Sequence, residues 1–341
     1  MSAPLRLAIV GLGGVGGPLA TLLVHAGRDV ALVAGSEESA EAIRRGGLAL
    51  GGALGHFDAR TGRVTASLEG GPYDAVLLAV RADALEQVAR DAAARLSPEG
   101  VVVTLQNGIP EPRAQKIVGN ARVLGGVVGF GGAMTSPGRY DLVGRGAVTL
   151  GEPRGPATER VRRLAAELTT ALPFRVTDNL AGARWTKLAQ SCGLSAMGAL
   201  LGMSVGELMA LPRVRRAFFV VLSEVVDVAR AEGVTLEPIA GMRLERLYVA
   251  HGGRPSLAAR LLLRALGFRY RRVRSGLLKR LKEGRPTGQI DELSGLVVEV
   301  AARHGVRAPM NELVWKTVKA IERGEATLGA HHLAALDAVT R

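Results

Sequence analysis

Cysteine is almost absent from this chain: Cys192 stands alone among 341 residues. No intrachain disulfide and no thiolate cluster can form, which fits a reducing compartment and points to the cytoplasm. Aromatic residues make up only 4%. The six histidines, at 25, 56, 251, 304, 331 and 332, show no metal-ligand spacing beyond the adjacent pair His331-His332, and no metal is expected. No apolar run reaches the roughly 18 residues of a membrane span. Acids are outnumbered, 31 against 44 Lys plus Arg, for a net charge of +13. That balance invites an anionic partner, whether nucleic acid, membrane surface or small molecule, but it does not choose among them.

At 341 residues and 48% apolar content the chain can bury a sizeable core, and two domains are expected. It opens with the apolar run Leu5-Arg6-Leu7-Ala8-Ile9-Val10 and then Gly11-Leu12-Gly13-Gly14-Val15-Gly16. A strand that ends in G-x-G-x-x-G and feeds a helix is the opening of a dinucleotide-binding fold. Gly11 permits the tight turn, Gly13 lets backbone N–H groups approach a pyrophosphate, and Gly16 lets helix and strand pack closely. Leu19 to Leu23 continue as a helix, and Asp29 to Val33 read as a second strand. The start also resembles a leader peptide, with Arg6 before an apolar stretch. Cleavage there would delete the strand and the glycine turn, so no leader is expected.

The first half alternates strand and helix patterns. Strands are expected at 74–80, 101–105, 122–128 and 147–150, and a helix at 82–96. This alternation implies a mostly parallel sheet. The glycine-rich stretch from Gly46 to Val64 reads as loop or short hairpin. After Val176 the strand signal vanishes and helical spacing takes over, as at 214–232, 239–249, 289–304 and 312–323. The expected organisation is α/β: a Rossmann-like dinucleotide-binding domain over 1–176 and an all-helical substrate and catalytic domain over 177–341.

A second constellation is Arg184-Trp185-Thr186-Lys187-Leu188-Ala189-Gln190-Ser191-Cys192-Gly193-Leu194-Ser195. On a helix, Lys187, Ser191 and Ser195 would share one face at i, i+4 and i+8. A lysine placed there either reaches a cleft or is simply solvated.

Taken together, the glycine turn, the strand end Val80-Arg81-Ala82, the turn Gln106-Asn107-Gly108, the Trp185-x-Lys187-Leu188 helix and the stretch Arg285-Pro286-Thr287-Gly288-Gln289-Ile290-Asp291 resemble the ketopantoate reductases (2-dehydropantoate 2-reductases). They do so in order and spacing over nearly the whole chain. The resemblance implies an NADPH-dependent reductase of a small anionic 2-oxo acid bound in a cleft between the domains. Hydride is delivered to the 2-oxo carbon, and Lys187 is the general acid that protonates the developing alkoxide. Asn107 would contact the nicotinamide ribose or the substrate. Arg81 stands where the family usually has a lysine near the adenosine phosphates.

The chain also departs from the family. The arginine expected after the second strand is replaced by Val33-Ala34-Gly35-Ser36-Glu37-Glu38. Ser36 and Arg81, with help from Arg44, are the candidates to hold a 2′-phosphate, and NADH is left open. Two family asparagines are Ser191 and Ser195, a third is Ser294, and the usual glutamate is lost to Gly288 or Gln289. Ser191, Ser195, Ser275 and Gln289 are the expected substrate contacts. Two rivals follow from these changes: a reductase of another 2-oxo acid or carbonyl compound, and a nucleotide-binding sensor without efficient catalysis.

The segment Arg260 to Arg285 holds ten Lys or Arg and one acid, with Phe268 and Tyr270 interleaved. It fits nucleic acid, an acidic membrane surface, an electropositive wall of the site, or a solvated helix face. The last is taken first, so neither a nucleic-acid nor a membrane partner is expected, and a homodimer is left open.

Overall fold

A computed structural model describes residues 4–238, 243–249, 255–271 and 273–340. The chain divides into two compact units, Met1–Leu180 and Ala181–Arg341.

Among its described residues the first unit carries twelve strands: β1 (Leu7–Val10), β2 (Val30–Val33), β3 (Leu48–Gly52), β4 (Phe57–Ala59), β5 (Val64–Thr65), β6 (Tyr73–Leu78), β7 (Leu96–Thr104), β8 (Val123–Val128), β9 (Gly131–Ser136), β10 (Arg139–Val143), β11 (Val148–Gly151) and β12 (Phe174–Val176). Among them run helices α1 (Gly16–His25), α2 (Glu37–Gly46), α3 (Leu85–Ala93), α4 (Glu111–Val118) and α5 (Glu159–Leu168).

Eight strands form the main sheet in the order β12-β11-β8-β7-β6-β1-β2-β5. Every pairing in it is parallel except β11 with β8. The expected Rossmann-like α/β unit with a mostly parallel sheet is therefore present. Both faces of β1 are covered: Leu7 and Ile9 enter the core on one side, Ala8 and Val10 on the other. This is why the strand reads as a continuous apolar run. The chain leaves β1 for β2 on one side and returns to β6 on the other. The carboxyl end of β1 is thus a topological switch point, where such sheets bind ligands.

Helix 82–96 was expected to be longer than it is. A 3₁₀ turn at Ala82–Ala84 precedes α3, and Leu96 already belongs to β7, paired with Tyr73. The stretch 46–64 contains a hairpin, with β3 antiparallel to β4. What the pattern did not announce is a second sheet, β4-β3-β10-β9, to which that hairpin belongs.

The second unit is helical, with α6 (Leu180–Ser191), α7 (Met197–Leu201), α8 (Val205–Ala210), α9 (Pro212–Ala231), α10 (Leu257–Arg269), α11 (Gly276–Lys282), α12 (Leu296–Arg303), α13 (Pro309–Glu322) and α14 (Leu333–Val339). Pro212 and Pro309 open their helices, where a missing N–H costs nothing. Of the helix expected at 239–249, residues 239–242 lie outside the described residues, and Leu244–Leu247 form a short 3₁₀ turn. The helix expected at 289–304 begins as a π-turn, Asp291–Gly295, before α12. Among the described residues, no helix is long and apolar enough to cross a membrane.

Candidate active site

In the first unit the site grows from the turn after β1. Gly11 has φ +96° and donates its N–H to the carbonyl of Val33 at 2.9 Å. A side chain there would strike the Ala79 carbonyl oxygen at 2.8 Å, so the loops after β1 and β6 approach as closely as backbone permits. At Gly16 a Cβ would overlap the Gly11 carbonyl, which is the close helix–strand packing the motif predicts. Gly13 differs from both: a Cβ there meets nothing within 4 Å, so its outer side is open to a ligand. Leu12 packs in the core and Val15 against it, leaving their backbone as what they offer.

The N-terminus of α1 has no side-chain cap and no acid in its first turn. Its positive dipole end suits a phosphate. The turn therefore fits the pyrophosphate of a nicotinamide dinucleotide.

Two more predicted residues stand at neighbouring strand ends. β7 runs beside β6, and Leu105 donates its N–H to the Leu78 carbonyl at 3.0 Å. The next turn exposes Asn107 and holds Gly108 at φ +79°. Arg81 follows β6, but its guanidinium is taken up by Asp83, Nε to Oδ1 at 3.1 Å and Nη2 to Oδ2. Past β2, Ser36 is the N-cap of α2, accepting from the Ser39 N–H at 3.3 Å. Arg44 is also committed, to Glu37 at 2.6 Å, to Glu41 at 2.7 Å and to the Val64 carbonyl at 2.8 Å. Each candidate cation for a 2′-phosphate is thus already paired with carboxylate.

In the second unit, Lys187 lies on α6 with part of its surface open. Its Nζ donates to Gln190 Oε1 at a long 3.4 Å. Burial of the ammonium pushes its pKa below the ordinary lysine range. Ser191 ends α6 and is buried. The regular α-helical spacing expected from Lys187 through Ser191 to Ser195 is interrupted, because Cys192–Ala196 wind as a π-turn.

The π-turn instead brings Ser195 to Ser275, whose hydroxyl donates to the Ser195 carbonyl at 3.2 Å while capping α11. The second π-turn, Asp291–Gly295, packs on the first and buries Ser294 completely. Burial holds the Cys192 thiol up at about 12, so it is packing rather than a nucleophile. Gln289 sits in the turn capped by Thr287, whose hydroxyl accepts its N–H at 3.4 Å.

Two features escaped sequence reasoning. Gly14 abuts Gly132 of β9, and Gly17 abuts the ring of Tyr140 of β10, so the second sheet backs the glycine turn. The available signal was the doubling of glycine at 13–14, 16–17 and 131–132. The other is Glu224 on α9, buried and accepting from the N–H groups of Met310 and Asn311 at 2.8 Å each and from Asn311 Nδ2 at 2.7 Å. It holds the first turn of α13 in place.

Comparison with known proteins agrees with this geometry. Residues 7–155 match the family described as ketopantoate reductase PanE/ApbA, and 179–322 match its C-terminal part. The 2-dehydropantoate 2-reductase of Pyrococcus horikoshii is 27% identical over 320 residues, 93% of this chain and 98% of that protein. That of Mesorhizobium japonicum is 31% identical over 229 residues, 60% of this chain and 70% of the relative. The solved 2-dehydropantoate 2-reductase of Geobacter metallireducens matches with a TM-score of 0.79 at 27% identity, covering 92% of this chain and 99% of that one. With a pyrophosphate-ready glycine turn in one unit, a desolvated lysine in the other and both parts of the family matched in order, this chain belongs to the ketopantoate reductases, oxidoreductases that act on a CH–OH/C=O group.

Proposed function

We propose that this protein reduces a small anionic 2-oxo acid to the 2-hydroxy acid, with 2-dehydropantoate as its first candidate substrate. The observation that carries the reading is Lys187, an ammonium kept partly desolvated on α6 with one long hydrogen bond. A bound reduced nicotinamide supplies the hydride that adds to the carbonyl carbon. Lys187 hydrogen-bonds the carbonyl oxygen, offsets the charge that develops there and gives up its proton to it. Depression of its pKa brings the lysine nearer to working pH, where an acid is most efficient.

The backbone of Gly11 to Gly16 with the α1 N-terminus holds the pyrophosphate, and Asn107 orients the ribose or the substrate. Ser195, half-buried beside Ser275, offers its hydroxyl to the substrate, and Ser275 fixes the backbone of Ser195. Ser191 and Gln289 complete the expected substrate contacts. Shorter serines in place of asparagines leave a roomier pocket, which favours testing 2-oxo acids bulkier than ketopantoate as well.

The cofactor implied by the resemblance is NADPH. A second reading, NADH, is favoured by one observation: Arg44 and Arg81 are neutralised by Glu37, Glu41 and Asp83. A 2′-phosphate of about −2 charge would have to displace those carboxylates and face Glu37 and Glu38 at the first turn of α2. The test is consumption of NADPH and of NADH with ketopantoate and a panel of 2-oxo acids, on wild type and on Lys187→Ala. Turnover that the variant loses supports the reading. Tight cofactor binding without turnover of any 2-oxo acid would overturn it.

A further inference from the structure

Helix α10 has two apolar stripes, and the core uses only one. At 3.6 residues per turn, Ala259, Leu263 and Gly267 line one side and are buried. That side is seated firmly: a Cβ on Gly267 would run into Met209 of α8. On the opposite side Leu257, Leu261, Ala265 and Phe268 fall within an arc of about 80°. Leu257 is 64% exposed, Leu261 55% and Phe268 74%. These are among the most exposed large apolar side chains of the described residues, and they form one row.

Arginines border that row on both sides. Arg260 and Arg264 occupy one seam, and Arg269 lies on the other. The Arg271 guanidinium stacks 5.3 Å from the centre of the Phe268 ring. Burial first, and then the charges of Arg264 and Arg260, push the pKa of Arg215 on α9 down, so the electropositive border extends onto a second helix. From Leu257 to Tyr270 the chain contains no acid. A solvated face, the first expectation for this segment, would not concentrate two leucines and a phenylalanine on its outer side.

We infer that the outer face of α10 docks on an anionic lipid surface, with Leu257, Leu261 and Phe268 entering the headgroup–acyl boundary and the arginines pairing with lipid phosphates. Arginine stems lie along apolar surface while the guanidinium reaches the phosphate layer, which is the geometry the two seams supply. A second copy of the chain is a poorer occupant. Isologous packing of α10 on itself would press arginine-bordered rows together, and like charges repel. Nucleic acid would pair with the arginines but would leave the apolar row without a function.

The test uses the full-length chain and vesicles of phosphatidylcholine alone or with a third phosphatidylglycerol, read by co-sedimentation at physiological salt. Binding is expected to the anionic vesicles and to be at least about tenfold weaker to the neutral ones. Arg260→Gln and Arg264→Gln are each expected to weaken it about fivefold, the equivalent of one surface charge. The triple variant Leu257→Ser, Leu261→Ser, Phe268→Ser should abolish it while keeping the circular dichroism and melting of the wild type, since all three side chains are exposed. No binding to anionic vesicles overturns the inference. So does vesicle binding that survives the triple variant, because a purely electrostatic surface would then account for it. A concentration-dependent dimer that the triple variant dissociates, without vesicle binding, assigns the face to a second copy and overturns it as well.

Discussion

Replacing Lys187 with methionine separates its chemical role from its structural one. Methionine keeps the unbranched length and fills the same space, but it has no proton to give. If the ammonium meets the developing alkoxide, its loss removes a general acid together with a positive charge. The expected fall in kcat/KM is about 10² to 10⁴, or roughly 3–5 kcal/mol of transition-state stabilisation. Binding of the reduced dinucleotide, followed by its fluorescence, should hold within a small factor, because the glycine turn belongs to the other unit.

Stability should move the other way. A lysine whose pKa is depressed on folding holds its proton less tightly in the folded chain than in the unfolded one. Its cost is absent above the unfolded value, grows as pH falls from that value to the folded one, and is complete below it. At neutral pH methionine relieves that cost, so Lys187→Met should melt higher than wild type while being nearly inactive. The same depression predicts a wild-type kcat/KM that is flat at low pH and falls on an alkaline limb placed below the ordinary lysine pKa. A variant that keeps wild-type turnover at neutral pH refutes the role. One that loses turnover and also melts lower or releases the cofactor makes Lys187 a structural residue, and the reasoning fails in a different place.

Gly35→Arg restores a cation after β2 and should raise kcat/KM for NADPH relative to NADH by roughly 10- to 100-fold, the worth of one charge-assisted hydrogen bond; an unchanged ratio places the 2′-position elsewhere. Glu224→Ala strands the Met310 and Asn311 donors in a buried site and should cost at least about 2 kcal/mol in urea unfolding. Because burial raises the Glu224 carboxyl to about 7, its contribution is full below the unfolded value of 4.5 and is lost as pH rises to about 7, so Glu224→Gln should flatten stability across that window. Gly14→Ala pushes a methyl into the Gly132 carbonyl and should cost about 1–3 kcal/mol and weaken dinucleotide binding, whereas Gly13→Ala, with open space around it, should leave melting near wild type and show any defect in cofactor binding.

The parts of this protein legible in its sequence are those whose signal is local. β1 is buried on both faces, so its four residues announce themselves as apolar, and Gly11 and Gly16 after it are fixed by contacts with the turn itself and with the loop after β6. The second sheet was hidden for the opposite reason. β10 alternates, with Tyr140 and Leu142 inward, but it pairs in parallel with β3, which lies about ninety residues earlier in the chain. Its partner face also includes Gly17 of α1, a glycine that reads as part of the dinucleotide motif rather than as a seat for an aromatic ring.

The path of the chain through the substrate-site serines was not legible, because regular helical spacing was extended through Ser195 where the helix in fact widens. Nothing in Cys192-Gly193-Leu194-Ser195-Ala196 marks a π-turn until the second one, at Asp291–Gly295, is seen packed against it. The paired charges are the instructive case. Arg44 and Arg81 look like phosphate ligands when read singly, and each has its neutralising acid two to seven positions away in the same segment. A basic residue in a dinucleotide fold is evidence for a 2′-phosphate only once the acids within its reach have been counted, and that count is the ground for the second, NADH reading proposed above.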